Sequence, residues 1–364
     1  MGFPHLKVFI SMFRTAANNH KKHSINGLEI RVSPFNRSRV SIIAVSRRLR
    51  FKQYMEEERI SAKQFCPFCP GNEEHTPPAI LVLTKELSFK KDSKDFRVKN
   101  WLVRIFPNKY PALSRNINVR TESKYSVFGY HEVVVETPLH EEDVYLEKIE
   151  HAFYAYLALK KRIEELINNP NIENILVIKN SGFKAGASIK HPHLQLFATT
   201  FTPPNIANEV EGFKGYMEKH GKCPLCEIVE KQSPRTVLDT EYFRVETRYA
   251  PQQSYELIII PKKHEENILK TSNEELKDLA WTLNSIIKAL KHVLKNDTNY
   301  NYWIHMVFKN IREYHWHIEL QPIIETWGGY EKGSGVYIVT VKPEEAANEL
   351  RKELERMSLK SLKR

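Results

Sequence analysis

The chain has 364 residues, of which 41% are hydrophobic and 27% charged, with 55 Lys and Arg against 44 Asp and Glu, a formal charge of +11. That length is enough for two cores, and the composition excludes fibrous and intrinsically disordered classes. No apolar run reaches the roughly 20 residues of a membrane span; the basic balance reads as general surface solubility or, more sharply, as attraction for phosphorylated substrates, and its dispersal along the chain counts against nucleic acid.

Residues 1–25 are basic and mildly amphipathic, and Val8-Phe9-Ile10 is too short for a signal-peptide core, so this stretch is expected to be a disordered extension. Leu28–Val32 and Val40–Val45 read as strands around a turn at Pro34 and Asn36, with Arg47 and Arg48 just after. Cys66-Pro67-Phe68-Cys69 is a knuckle-like turn. Leu102–Phe106 is a strand running into Pro107-Asn108-Lys109-Tyr110-Pro111, and His131–Glu136 alternates before Pro138-Leu139-His140. Apolar spacing predicts a helix over 143–168, then a buried strand at Ile175–Lys179, a glycine-bearing loop over Ser181–Lys190 and a strand over His191–Ala198.

Thr202–Lys222, opening on Pro203-Pro204, reads as a joiner between halves 26–205 and 206–364. In the second half Tyr242–Arg248 and Glu256–Ile260 read as strands, Asn273–Leu294 as a helix, and Tyr302–Phe308 and His315–Gln321 as strands. The basic tail Lys352–Arg364 reads as the end of a solvated helix. Helices set between hairpin-like strands predict an α+β fold, two mainly antiparallel sheets with packed helices.

The halves repeat one unusual residue set. Cys66 and Cys69 precede His140 and then His191-Pro192-His193; Cys223 and Cys226 precede His264 and then His315-Trp316-His317. From His140 to His191 is 51 residues, as it is from His264 to His315, which points to an internal duplication. All four cysteines lie in these C-x2-C pairs, which suits thiolate metal ligation in a reducing compartment, the cytoplasm, better than a disulfide framework. A C-x2-C turn plus two distant histidines is a tetrahedral zinc set. The candidates are Cys66, Cys69, His140 and His191, and Cys223, Cys226, His264 and His315. Four protein ligands leave no open position, so both sites are expected to be structural.

In a strand, residues i, i+2 and i+4 share a face. His191, His193 and Gln195 therefore align, as do His315, His317 and Glu319. With the first histidine of each set tied to metal, the second is held rigidly beside it. His193 also follows a loop with two glycines, whose backbone N–H groups are expected to face phosphate oxygens, and Gln195 can donate to another. A neutral imidazole there can attack phosphorus and form a nucleotidyl-histidine. The second copy has no glycine before His315, and Glu319 would repel phosphate, so that half reads as structural or substrate-lining.

His191-Pro192-His193-Leu194-Gln195, with the cysteine knuckles, the Pro107-to-Leu113 segment and Pro138-x-His140, resembles galactose-1-phosphate uridylyltransferases of the histidine triad superfamily, from about Leu28 to Arg351. The resemblance implies a duplicated histidine-triad-like fold, a homodimer and ping-pong transfer of UMP between UDP-glucose and galactose 1-phosphate. By position, His193 matches the nucleophile, and His191, His140, Cys66 and Cys69 match zinc ligands. Asn180, Ser188 and Gln195 match phosphate contacts, Asn108 lies where base and ribose are held, and Arg47 and Arg48 fall near phosphate-binding arginines. Glu331, in Gly329-Tyr330-Glu331, matches a hexose-binding position, but Tyr337 stands where a Gln is usual. The Gly333-Ser334-Gly335-x-Tyr337 form is similar to archaeal-type members and ADP-glucose phosphorylases, which leaves the base and the acceptor, sugar phosphate or inorganic phosphate, open.

Overall fold

The computed structural model describes residues 28–32, 40–44, 65–115, 127–140, 148–294 and 298–361; the N-terminal extension, Arg47 and Arg48 lie outside the described residues. Leu28–Val32 (β1) and Val40–Ala44 (β2) pair as an antiparallel ribbon, as their turn chemistry predicts.

Short runs rich in β-branched and aromatic residues build the main sheet. Its strands are Leu81–Thr84 (β3), Phe89–Lys90 (β4), Trp101–Pro107 (β5), Gly129–Val135 (β6), Asn174–Ser181 (β7), His193–Thr199 (β8), Thr236–Asp239 (β9), Phe243–Thr247 (β10), Leu257–Pro261 (β11), Tyr300–His305 (β12) and His317–Pro322 (β13). The spatial order is β4-β3-β5-β6-β8-β7-β12-β13-β11-β10-β9, and each of its ladders is antiparallel. The two sheets expected from sequence are thus joined edge to edge. At the seam β7 pairs with β12, Val177 opposite Ile304 and Asn180 opposite Asn301. Each edge satisfies the other's row of backbone donors and acceptors, which would otherwise invite aggregation.

Six helices are described: Ile149–Ile167 (α1), Pro204–His220 (α2), Pro224–Glu230 (α3), Asn273–Val293 (α4), Gly329–Ser334 (α5) and Pro343–Ser361 (α6). Tyr156, Leu159 and Ile163 of α1, Leu279, Leu283 and Ile286 of α4 and Leu350 of α6 share one buried cluster with Val177, Leu194, Leu196 and Ile304. Each such aliphatic side chain contributes roughly 1.5–3 kcal/mol by leaving water. A capping box starts α4: Ser272 Oγ accepts the Glu275 N–H at 3.1 Å, and the Glu275 carboxylate accepts the Ser272 N–H at 2.6 Å.

Alternate residues of the same strands face the other way. Val133 and Val135 of β6 and Phe106 of β5 pack under Cys66 and Phe68 of the first knuckle. In the second half Ile258 and Ile260 of β11 pack instead under Ile206, Val210 and Phe213 of α2. The joiner read over Thr202–Lys222 is therefore largely helix. Pro204 occupies the first helical turn, where its missing N–H costs nothing, and Gly221 closes the helix at φ 68°.

Candidate active site and metal centres

The two Cys/His sets close up on the sheet face opposite α1, α4 and α6. Cys69 Sγ lies 3.2 Å from His140 Nδ1 and 3.6 Å from His191 Nδ1, and Cys66 Sγ 3.7 Å from His191 Nδ1. The second set repeats these values: Cys226 to His264 3.2 Å, Cys226 to His315 3.6 Å, Cys223 to His315 3.7 Å. Tetrahedral zinc with its usual Zn–S and Zn–N bonds would set S···N edges at about 3.6 Å. Donor type and spacing therefore fit zinc at both sets, and the four ligand atoms of each lie within 4.8 Å of one another. Burial pushes the Cys66 thiol up to about 12, so a cation is what would let it ionise.

The outer partners differ between the sets. His191 gives its Nε2–H to the Thr137 carbonyl at 2.8 Å, and His264 gives its own to Arg312 O at 2.9 Å. These bonds leave Nδ1 as the lone-pair atom facing the thiols, the tautomer a metal needs. His315 Nε2 is buried with no hydrogen-bond partner among the described residues.

His193 opens β8 and is 7% exposed. Its Nδ1–H donates to the His191 carbonyl at 2.8 Å, which leaves the lone pair on Nε2. Phe68 of the knuckle packs edge-on against the ring, centroids 5.4 Å apart. Val135 of β6 lies opposite His193, and Val133 of β6 and Ile178 of β7 flank Gln195. The next step of the β7–β8 register, after Lys179 opposite Leu194, sets Asn180 across from His193. His193, Gln195 and Asn180 thus share one surface.

Across the seam, Asn301 Nδ2 donates to Asn180 Oδ1 at 2.7 Å and to Ala185 O at 2.8 Å, fixing Asn180 with its NH2 group on the other side. Asn108 accepts the Tyr110 N–H at 2.9 Å, and its Nδ2 lies 3.1 Å from His131 Nε2, whose other neighbour is Gln195 Oε1 at 2.9 Å. The sequence candidates Asn108, Asn180, Gln195 and His193 are therefore brought together, and Ser188 lies half-buried in the turn leading to His191.

One expectation changes. The N–H groups of Ala185, Gly186 and Ala187 bond inside the loop and that of Lys184 bonds Asn299, so these amides do not face a phosphate. The glycines serve the loop's shape instead: Gly182 sits at φ 86°, and a Cβ there would meet Asn299 Oδ1 at 2.0 Å. Glu331 accepts the Gly328 N–H at 2.9 Å and caps α5.

The second half has a different centre at the matching place. His317 gives its Nδ1–H to His315 O at 3.0 Å, as His193 does to His191, but its Nε2 lies 3.2 Å from Glu209 of α2 and 3.7 Å from Glu319. Glu209 also takes His305 Nδ1 at 3.0 Å and the Tyr314 hydroxyl at 2.5 Å. Arg248 and Trp303 hold Glu319 at 3.0 and 2.9 Å. Burial works against a charged His317 ring, yet the Glu209 carboxylate, helped by Glu319, raises it to about 10. A protonated Nε2 has no lone pair to attack phosphorus, which agrees with a structural reading of this half. Sequence reasoning missed Glu209, His305, His131 and Asn301, and also the buried ion pair of Lys179 with Glu136.

Residues 12–203 match the family described as galactose-1-phosphate uridyl transferase, N-terminal domain. The ADP-glucose phosphorylase of Arabidopsis thaliana is 33% identical over 300 residues, 79% of this chain and 81% of that protein. The galactose-1-phosphate uridylyltransferase of Thermotoga maritima is 28% identical over 266 residues, 68% of this chain and 83% of that protein. A crystal structure of the Arabidopsis thaliana ADP-glucose phosphorylase with bound ADP-glucose superposes with a TM-score of 0.70 at 30% identity, covering 89% of this chain and 98% of that one. With its paired cysteine knuckles and its His-Pro-His-x-Gln strand, the chain belongs to the galactose-1-phosphate uridylyltransferase family.

Proposed function

We propose that the protein moves UMP between UDP-glucose and galactose 1-phosphate through a covalent intermediate on His193. The observation that carries this is the His193 Nδ1–H bond to the His191 carbonyl at 2.8 Å, which presents the Nε2 lone pair beside Gln195. In the first step Nε2 attacks the α-phosphorus. An N–P bond forms as the P–O bond to the departing glucose 1-phosphate breaks, and its electron pair stays on that oxygen. In the second step a phosphate oxygen of galactose 1-phosphate attacks the same phosphorus, and the imidazole leaves with its electron pair. Gln195, Asn180 and Ser188 are the donors for the non-bridging oxygens, where charge grows in the transition state. Asn108 is assigned to the nucleoside, Arg47 and Arg48 to phosphate, and Glu331 to the hexose. Zinc at the two Cys/His sets would hold the knuckles in place and, having no open position, take no part in the transfer.

A second reading, phosphorolysis of ADP-glucose by inorganic phosphate, has specific support. The Arabidopsis relative bears that name, and Tyr337 follows Gly333-Ser334-Gly335 here. Both readings share the His193 step. A homodimer in the cytoplasm is proposed too; its support is the family resemblance and the exposed Tyr330, Val336 and Ile338 along one segment. The test is incubation of the protein with UDP-glucose or ADP-glucose labelled in the α-phosphate, without acceptor, then isolation of acid-labile label on protein. Label from UDP-glucose, discharged by galactose 1-phosphate, is the expected result. Label from ADP-glucose, discharged by phosphate, selects the second reading, and no protein-bound label from either donor overturns both.

A further inference from the structure

Gln195 can help a phosphate only if its NH2 group, not its carbonyl, faces the ligand. An amide reaches either orientation by a half-turn, so something must choose. The choice is made by His131, a 2% exposed residue of β6 on the same sheet face, stacked on Phe197 with ring centroids 4.0 Å apart. The backbone N–H of Ala112 points at His131 Nδ1 at 3.0 Å. A backbone amide can only donate, so Nδ1 is the acceptor and the ring's proton sits on Nε2. That Nε2–H lies 2.9 Å from the Gln195 side chain and requires an oxygen there. Gln195 must therefore turn Oε1 inward and its two N–H donors away from His131. Asn108 Nδ2 also lies 3.1 Å from His131 Nε2, turned there by the Tyr110 N–H on its oxygen, but an NH2 group cannot accept that proton; the rigid Ala112 amide sets the tautomer, and Gln195 is the neighbour that can supply the oxygen.

We propose that His131 is a positioning residue for nucleotidyl transfer: it locks the Gln195 amide with its donors towards the phosphate and ties that lock to the Pro107–Leu113 segment that carries Asn108 and Ala112. The inference rests on the His193 reading above. The other half shows the contrast. There β11 places Ile258 opposite Glu319, so Glu256, two residues earlier, is the counterpart of His131. Arg248 lies between the two carboxylates, 3.0 Å from Glu319 and 3.9 Å from Glu256. A neutral lock on an amide donor is thus paired with a nucleophile, and a cation between acids with a protonated histidine.

The test is a double-mutant cycle read as the single-turnover rate of protein labelling at saturating donor. Gln195→Ala is expected to slow labelling by roughly 10²–10³-fold, the usual effect of losing one transition-state donor. His131→Phe, which keeps the stack on Phe197 but offers no proton, is expected to slow it by about 10–100-fold with the half-saturating donor concentration little changed. In the Gln195→Ala background the same change should slow labelling by no more than about twofold, because the two residues act as one unit. His131→Gln, whose amide N–H reaches the place of Nε2–H, should restore most of the rate. Equal losses in both backgrounds, or a His131→Gln protein as slow as His131→Phe, would mean that His131 only fills space, and the proposal fails. A wild-type protein that takes no label is a separate outcome: it fails the His193 reading itself, and this inference with it.

Discussion

His193 and His317 hold the same bond from Nδ1 to the carbonyl two residues back, at 2.8 and 3.0 Å, and differ in what faces Nε2. One carries an amide two residues on, the other a carboxylate with a second one supplied by α2. His193→Ala should abolish labelling from either donor while metal content and far-UV circular dichroism stay at wild-type values. His191→Ala should instead lose one metal equivalent, counted by atomic emission, and lower Tm, since metal binding and folding of the knuckle are linked. Glu209→Gln should let burial win at His317, so the ring's titration falls from about 10. A histidine raised in the folded state contributes stability in full below its unfolded value, near 6.5, and loses it as pH climbs through about 10. Wild type should accordingly exceed Glu209→Gln by about 3 kcal/mol near neutral pH, and the gap should narrow towards pH 10. Urea unfolding at a series of pH values checks this, and a gap that widens with pH would contradict the assignment.

At the scale of elements, the strand bearing His193 is held from below. Glu136 follows β6, Lys179 lies in β7, and their ion pair spans β8 on the helix side with side chains 0% and 3% exposed. Lys179→Ala should strand a buried carboxylate and cost about 3–5 kcal/mol, whereas the pair Lys179→Met with Glu136→Leu should recover most of it. Chemical denaturation of the three proteins measures the difference. Little of this could be read beforehand. Lys179 ends an apolar run that reads as an ordinary buried strand, and an ion partner 43 positions away leaves no local pattern. The two Cys/His clusters were legible because cysteine pairs and spaced histidines are rare and chemically distinct. The face of β8 was legible because strand periodicity puts His193 and Gln195 together whatever the tertiary context. Helix α2 was hidden behind Pro203-Pro204, a breaker inside a helix but a favoured opening at its first turn.

At the scale of the molecule, duplication was legible from equal spacing, but the union of the halves was not. Tyr300, Tyr302 and Ile304 of β12 alternate like any half-buried strand, and nothing local says which edge they meet. The seam has a consequence for the proposed site. Asn301 lies 121 positions from Asn180 and still sets its side chain. Asn301→Ala should therefore raise the donor concentration for half-maximal labelling several-fold, with Tm reduced by only a few degrees, as expected for one lost hydrogen bond. Titration of labelling rate against donor tests it, and an unchanged half-saturation point counts against the seam's role.

The shared ladder also dictates where harmful changes should fall. A saturation survey scored on enzyme turnover would find the non-reacting half tolerant over most of its surface, yet intolerant along one narrow stripe, the outward positions of β12 and Asn299 beside it. Lesions there would read as active-centre defects although no residue in the stripe is proposed to take part in bond making, and a fragment ending near Lys222 would inherit every group proposed to react without the neighbour that aims one of them.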